Sequence, residues 1–247
     1  MIIAEFFDNS PWTWENYPTV SKKYMNEENI APVVEKKFVI SPRTYTLFFW
    51  ILFLIFFFIP GYYFFTVNGN ILLEQKSFSV LTISLFPLVG LYAYFFVWMQ
   101  IILGANMRIF IRKMPWVYQF HKREGIFAFL LALLHPALLV SSIGLEKYFS
   151  YAFVSSDRKI FVVIGQIQIF FLLITSLTAI FMKVSFLQKR WRTIHYLNYI
   201  VFYGIWIHSW FLGSTVRFTS LKYLWIFFII SATISIMGKI IFVRRRR

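Results

Sequence analysis

Long apolar runs alternate with short polar connections along most of this chain. About 20 consecutive apolar residues are needed to cross a bilayer as a helix, and six runs reach that length. The predicted spans lie at 44–66, 79–103, 121–142, 160–182, 193–213 and 221–243. Lys239 interrupts the last run near its end, and we expect its side chain to snorkel to the interface. The pattern predicts an all-α integral membrane protein, a bundle of six transmembrane helices.

The spans divide the chain into three parts. Residues 1–43 are predicted to be a cytoplasmic N-terminal tail, 44–243 the six-span domain, and 244–247 a basic cytoplasmic C-terminus. The tail holds six of the ten acidic residues together with several aromatic ones. Two interpretations stay open for it, an extension lying on the membrane and a docking arm for a partner subunit.

Composition narrows the classes of protein. The chain is 59% hydrophobic and only 14% charged, whereas soluble domains average about 25% charged residues. It has no cysteine, which excludes disulfides, iron–sulfur clusters and covalently attached c-type haem. The net charge is +15, but the basic residues lie mainly between apolar runs, where topology and anionic lipid explain them. We therefore expect membrane lipids, and no nucleic acid, as partners.

The loop charges predict an orientation. Lysine and arginine concentrate before the first span, between spans two and three, between four and five, and after the sixth. The positive-inside rule then places both termini in the cytoplasm, with spans three and five running in the same direction. No targeting peptide is recognised, which favours a bacterial plasma (inner) membrane, with an organellar inner membrane as the alternative.

All four histidines of the chain fall on these two parallel spans. His121 and His135 lie fourteen steps apart on the third span, and His195 and His208 thirteen steps apart on the fifth. Ionisable residues inside spans are costly and usually functional. His121 and His195 form what we call the inner pair, and His135 and His208 the outer pair. Each pair can supply two axial imidazoles to one iron, which predicts two haems stacked between helices three and five.

Other interpretations of the histidines stay open. They could make polar contacts between helices, or serve a proton relay or a transition-metal site. We expect no carboxylate inside a span, with Glu124 at the cytoplasmic edge, and this weighs against a relay. One angle is awkward, because thirteen α-helical steps leave His208 roughly 140° away from the face of His195. An irregular first turn at His195, or a kink near Gly204, would remove the conflict.

Basic and small side chains lie near the predicted haem levels. Lys122, Arg123 and Arg192 flank the inner pair and are candidate contacts for haem propionates. Topology anchoring explains the same charges. Gly125 and Gly204 would let a flat macrocycle approach the backbone, or would serve ordinary helix packing.

The residues around the histidines resemble a known family. The matching segments are Phe120-His121-Lys122 and Leu131–Pro136 on the third span, and Trp191–Tyr199 and Ile207–Trp210 on the fifth. They resemble the ferric-reductase-like transmembrane domain of NADPH oxidases, ferric reductases and the haem subunit of the bacterial periplasmic methionine sulfoxide reductase system. The resemblance covers roughly residues 44–243. It implies two b-type haems with the four histidines as axial ligands, and electron flow from a cytoplasmic flavin to an acceptor across the membrane.

The chain also departs from that family. We find no counterpart of its cytoplasmic FAD and NAD(P)H domains, so we expect no flavin or NAD(P)H on this chain. Electrons would come from a separate flavoprotein, from quinol, or from a larger complex. The chain is thus predicted to be the membrane component of an oxidoreductase, with no catalytic residue assigned. Two alternatives stay open, a haem-containing accessory subunit and a quinol-linked cytochrome b, although the latter places its histidines on spans two and four.

Overall fold

A computed structural model describes residues 41–74, 77–181 and 184–244 of the chain. About 90% of the described residues are helical and none lies in a strand, which confirms the all-α prediction for them. The predicted tail, apart from its last three residues, lies outside the described residues. So do residues 245–247 of the predicted basic C-terminus.

Ten α-helices follow one another in the described ranges, with one 3₁₀ turn at Ser156–Arg158. In chain order they are α1 Pro42–Glu74, α2 Phe78–Lys113, α3 Val117–Ile143, α4 Leu145–Phe149, α5 Lys159–Ile180, α6 Ser185–Gln188, α7 Trp191–His195, α8 Leu197–Leu212, α9 Ser214–Phe218 and α10 Leu221–Arg244.

Five helical stretches of the described chain are long and apolar enough to cross a membrane. They are Pro42–Gly69, Phe78–Lys113, Val117–Ile143, Ser156–Ile180 and Leu221–Ile241. By length and composition they indicate a multi-pass membrane protein, and they correspond to five of the six predicted spans.

The predicted fifth span differs from the other five. It consists of α7 and α8, which are separated at Tyr196. Helix α8 has 16 residues and rises about 24 Å, which is less than the roughly 30 Å of a hydrocarbon core. At the break, the Tyr199 N–H donates to the Tyr196 carbonyl over 3.0 Å. This three-residue spacing turns the chain by about 120° per residue rather than about 100°, and it lies directly after His195, between the two histidines of the span.

Helix α2 is the centre of the packing. It lies along α3 and also contacts α1, α8 and α10, while α5 packs along α8 and contacts α3 and α7. The helices that carry the histidines are therefore each backed by a helix without histidine. Helix α2 backs α3, and α5 backs α8.

Aromatic side chains fill the space between α2, α8 and α10. Tyr94 stacks on Phe202 with ring centroids 5.4 Å apart, and lies 5.1 Å from Trp225. Trp98 stacks on Phe228 at 4.3 Å. These side chains are almost completely buried. Offset aromatic pairs add about 0.5–1.5 kcal/mol each beyond burial of their area, so this cluster fixes α8 against α2.

The outward faces of the long helices are apolar. Phe48, Phe170 and Ile234, on three different helices, are each at least 60% exposed. Exposed apolar side chains on this scale are unfavourable in water. On membrane-spanning helices these side chains contact lipid.

Candidate functional site

The outer pair comes together between α3 and α8. The imidazole centroids of His135 and His208 lie 6.3 Å apart, with the ring planes at 89°. Two imidazoles that bind one metal ion from opposite sides hold their centroids about 6 Å apart, because each metal–nitrogen bond is about 2 Å long. The separation of the outer pair therefore matches the spacing of two axial ligands.

Backbone carbonyls orient both rings of the outer pair. His135 Nδ1 lies 2.7 Å from the Phe86 carbonyl oxygen, and His208 Nδ1 lies 2.8 Å from that of Phe161. A carbonyl only accepts, so each Nδ1 carries the proton and donates it. In a neutral ring this leaves the Nε2 lone pair available to a metal. Metal-binding histidines are usually held by this kind of hydrogen bond.

Glycines allow the rings to approach these carbonyls. A Cβ at Gly90 would lie 2.7 Å from His135 Cε1 and 2.8 Å from Nδ1, and a Cβ at Gly165 would collide with Nδ1 and Cε1 of His208. Each glycine lies one helical turn after the carbonyl that its histidine contacts. Helices α2 and α5 thus present the same combination, an accepting carbonyl and a glycine one turn later, to the two outer histidines.

This arrangement follows a short sequence repeat that our sequence analysis missed. Phe86 and Gly90 on α2, and Phe161 and Gly165 on α5, form two Phe-x3-Gly segments on the helices that precede each histidine helix. The repeat was visible, but it acquires meaning only once α2 is known to lie against α3 and α5 against α8.

The inner pair is held differently. His121 on α3 interacts electrostatically with His195 at the end of α7. Gly104 on α2 backs His121, where an added Cβ would stand 3.4 Å from Cε1, an ordinary contact. The Nδ1 atom of His121 is buried and has no hydrogen-bond partner among the described residues.

His195 contacts a side-chain amide instead of a backbone carbonyl. Asn198 Nδ2 lies 3.2 Å from His195 Nδ1, and the Thr175 hydroxyl donates to Asn198 Oδ1 over 2.6 Å. In this orientation the amide donates to Nδ1, which leaves the proton of a neutral ring on Nε2. Rotating the amide by 180° would present Oδ1 to Nδ1–H and release Nε2 for a metal. Sequence analysis did not identify Asn198 or Thr175.

A buried carboxyl lies near the inner pair. Glu124, predicted at the cytoplasmic edge of its span, is 5% exposed and lies in the second turn of α3. The Gln100 amide donates to Glu124 Oε2, and also to the His121 carbonyl over 2.7 Å. Glu124 thus places a buried carboxyl beside the inner pair, near the beginning of α3. The Glu124 carboxyl faces a glutamine of α2, not a second carboxyl.

The two glycines singled out in the sequence do not face the histidines. A Cβ at Gly125 would stand 3.0 Å from Gln100 Oε1, and one at Gly204 would collide with the Gln168 side chain. Both glycines admit a glutamine from a neighbouring helix. The helix-packing interpretation therefore fits these two positions.

The basic candidates for propionate contact lie at the surface end of the site. Arg123 and Arg192 are exposed, and Lys122 is partly exposed. The Arg192 guanidinium lies 5.7 Å from the Trp191 ring centroid, and the Lys122 ammonium 5.6 Å from that of Tyr118. These contacts are with aromatic rings of the candidates' own helices.

Across residues 41–74, 77–181 and 184–244, no group of three or more His, Cys, Asp or Glu side chains could hold a metal ion. A haem iron needs only two protein ligands, since the porphyrin supplies the other four. Comparison of the chain with family models, curated proteins and solved structures finds no match. The resemblance to the ferric-reductase-like domain rests on the residues quoted above.

Proposed function

We propose that this protein carries electrons across a membrane through two b-type haems, one held by the outer pair and one by the inner pair. The observation that carries the proposal is the matched backing of His135 and His208. Both rings donate Nδ1–H to a carbonyl over 2.7–2.8 Å, and their centroids lie 6.3 Å apart. When bound, a haem supplies a one-electron iron couple.

The donor set fits this use at the outer pair. Neutral Nε2 atoms on two rings, each oriented by a carbonyl of a neighbouring helix, are the ligands that b-type haem iron would take. Packing alone would not require both Nδ1 atoms to be engaged by main-chain carbonyls. It would also not require glycines at both Gly90 and Gly165.

The inner pair supports a second haem less directly. His121 and His195 are near each other, and His121 has a buried Nδ1 without a partner among the described residues. Rotation of the Asn198 amide would prepare His195. The two histidines of α3 are fourteen residues apart, a rise of about 21 Å, so the chain holds its two pairs at well-separated depths.

The remaining features of the proposal come from the sequence. Helices α7 and α8 together would form the fifth span along the chain, which completes the six. The loop charges favour cytoplasmic termini in a bacterial plasma membrane. Electrons would enter at the inner pair from a separate flavoprotein or a larger complex. They would leave from the outer pair to an acceptor such as a ferric chelate, as the resemblance to ferric-reductase-like proteins implies.

Proteoliposomes loaded with a membrane-impermeant ferric chelate test this function. Dithionite with a soluble flavin is added outside, and reduction of the trapped chelate is followed optically. We expect reduction at least about tenfold faster than in chelate-loaded vesicles that contain no protein or the His135→Ala variant, because that variant would lack one of the two histidines that hold the outer haem. Equal rates in all three preparations would refute transmembrane transfer.

A second candidate function is favoured by the inner pair. His195 accepts from Asn198 in the structure, so it is not prepared for a metal as His208 is. The chain would then hold one haem, at the outer pair, as an accessory subunit of a redox complex. Haem stoichiometry separates the two candidates, with two haems per chain for the conduit and one for the accessory subunit.

A further inference from the structure

The Lys239 side chain contacts residues of two neighbouring helices. Its ammonium lies 3.1 Å from the Tyr199 hydroxyl and 3.4 Å from the Gly104 carbonyl. The rings of Tyr196 and Tyr199 lie below it, with centroids 5.2 Å and 5.7 Å from Nζ. These contacts hold the side chain against α2 and α8.

This ammonium belongs to the neighbourhood of the inner pair. Gly104, whose carbonyl it contacts, is the residue that backs His121. Both His121 and His195 interact electrostatically with Lys239. A lysine near the end of α10 is therefore close to histidines on α3 and α7. Arg244, the last residue of α10, is five residues further along the sequence.

No acidic side chain of the described ranges neutralises Lys239. The one ion pair found there joins Arg158 to Asp157. Arg108 adds a second positive charge within electrostatic range of Lys239. A partly buried ammonium is stabilised by an anion nearby, and residues 41–74, 77–181 and 184–244 supply none to Lys239. The ammonium has three protons, and the described residues take two of them, so one donor remains for an anion.

The geometry points to Lys239 as the anion-binding residue of the inner site, where its ammonium pairs with a propionate carboxylate of the haem held by His121 and His195. This inference rests on the proposed function. It gives the propionate role to Lys239 rather than to the exposed Arg123 and Arg192. Charge-assisted hydrogen bonds to a carboxylate are among the stronger ones in proteins, and the surroundings here exclude much of the solvent.

Haem titration of the purified apoprotein tests the inference. Haem b and its dimethyl ester, in which both propionates are uncharged, are each added to the unaltered chain and to Lys239→Met. We expect Lys239→Met to weaken binding of one of two haem b equivalents about tenfold. We expect the two proteins to bind the ester equally. The midpoint potential of that haem should also fall. A positive charge nearby stabilises the reduced form, and the variant lacks this charge.

Three further variants serve as controls. Lys222→Met removes a charge from the other end of α10 and should bind haem b like the unaltered chain. Lys239→Arg should restore most of the affinity. Tyr199→Phe should weaken binding two- to threefold through loss of one support of the ammonium. Thermal unfolding of the apoproteins identifies any variant that fails to fold, and Lys239→Arg and Tyr199→Phe then carry the test.

The outcomes separate this inference from the function on which it rests. If two haems bind and Lys239→Met matches the unaltered chain, the inference is wrong and the proposed function stands. The same holds if the variant's defect persists with the ester. If fewer than two haems bind to the unaltered chain, both the inner haem and the role of Lys239 are refuted.

Discussion

The outer and inner pairs use the same residue type at similar spacing, yet the protein holds them in different ways. Main-chain carbonyls one turn before a glycine orient His135 and His208. A side-chain amide contacts His195, and His121 Nδ1 has no partner among the described residues. Rigid helix backbone therefore fixes both rings of the outer pair, whereas in the inner pair only His195 is held, and by an amide that can rotate.

Equal spacing in sequence therefore does not prepare two histidine pairs equally for a ligand. A carbonyl imposes one tautomer on each outer ring and leaves Nε2 available. An amide can impose either tautomer, depending on its rotation. Less reorganisation on binding generally means higher affinity. We therefore expect the outer pair to bind haem more tightly and to be loaded first.

Removing one of the four histidines should have the largest effect on haem content. His135→Ala and His208→Ala should each abolish binding at the outer pair and reduce the haem content from two to one per chain. His121→Ala should remove the other haem. Pyridine haemochrome analysis against protein concentration measures this content. A double variant His135→Ala/His208→Ala that loses both haems would contradict the assignment of one haem to each pair.

Alanine substitutions at the glycines that contact the histidines should have the next largest effect, and should weaken haem binding at the outer pair more than at the inner pair. At Gly165 a Cβ would collide with the His208 ring, so Gly165→Ala should displace it. Overpacking typically costs about 1–3 kcal/mol, which predicts roughly 5- to 150-fold weaker binding of the outer haem.

Two matched glycines provide the controls for that prediction. At Gly104 the added Cβ would make only an ordinary contact with His121, and Gly238 has nothing within 4 Å. Gly104→Ala should change inner binding less than about threefold, within ordinary packing adjustments, and Gly238→Ala should change neither site. An effect of Gly238→Ala as large as that of Gly165→Ala would show that the helices tolerate no alanine, whatever the histidines do.

Substitutions at Asn198 should make haem binding at the inner pair more similar to, or more different from, haem binding at the outer pair. A carboxylate at this position would accept from His195 Nδ1–H, so Asn198→Asp should tighten inner haem binding and lower its midpoint potential. Asn198→Leu should weaken binding about tenfold, within the range for residues that orient metal ligands. Spectroelectrochemical titration follows both haems at once. A shift confined to the outer haem would argue against the proposed pairing.

The smallest effect is expected at the exposed arginine. Arg192→Met removes a guanidinium that contacts Trp191 at the protein surface. Exposed charges contribute little, so haem affinity should change less than about twofold. The same titration on Lys239→Met provides the comparison. If Arg192→Met proved the more damaging of the two, the propionate role would return to the residues named from sequence.

Sequence alone predicted the all-helical class and paired His135 with His208, whose ring centroids lie 6.3 Å apart. From apolar run length and loop charge, the sequence also predicted that the two histidine-bearing spans run in the same direction, because lipid and membrane orientation act on local composition. It did not predict the break at Tyr196, although the awkward angle between His195 and His208 indicated an irregularity there.

The contacts that orient the histidines and Lys239 could not be predicted from the sequence in the same way. The contact between His135 and Phe86 joins residues 49 positions apart, and that between Lys239 and Gly104 joins residues 135 apart. Such contacts depend on which helix faces which neighbour and in what rotation. Apolar helices surrounded by lipid carry little periodic signal for this, so Gly90, Gly165, Asn198 and Lys239 emerged only from the packed structure.

The haem content of the purified, unaltered protein tests the central claim most directly. A reduced-minus-oxidised visible spectrum with a pyridine haemochrome count gives both the type and the number of haems. The account predicts b-type spectra and two haems per chain, the tighter of them lost in His208→Ala. A protein that binds no haem after expression with ample haem supply would contradict it.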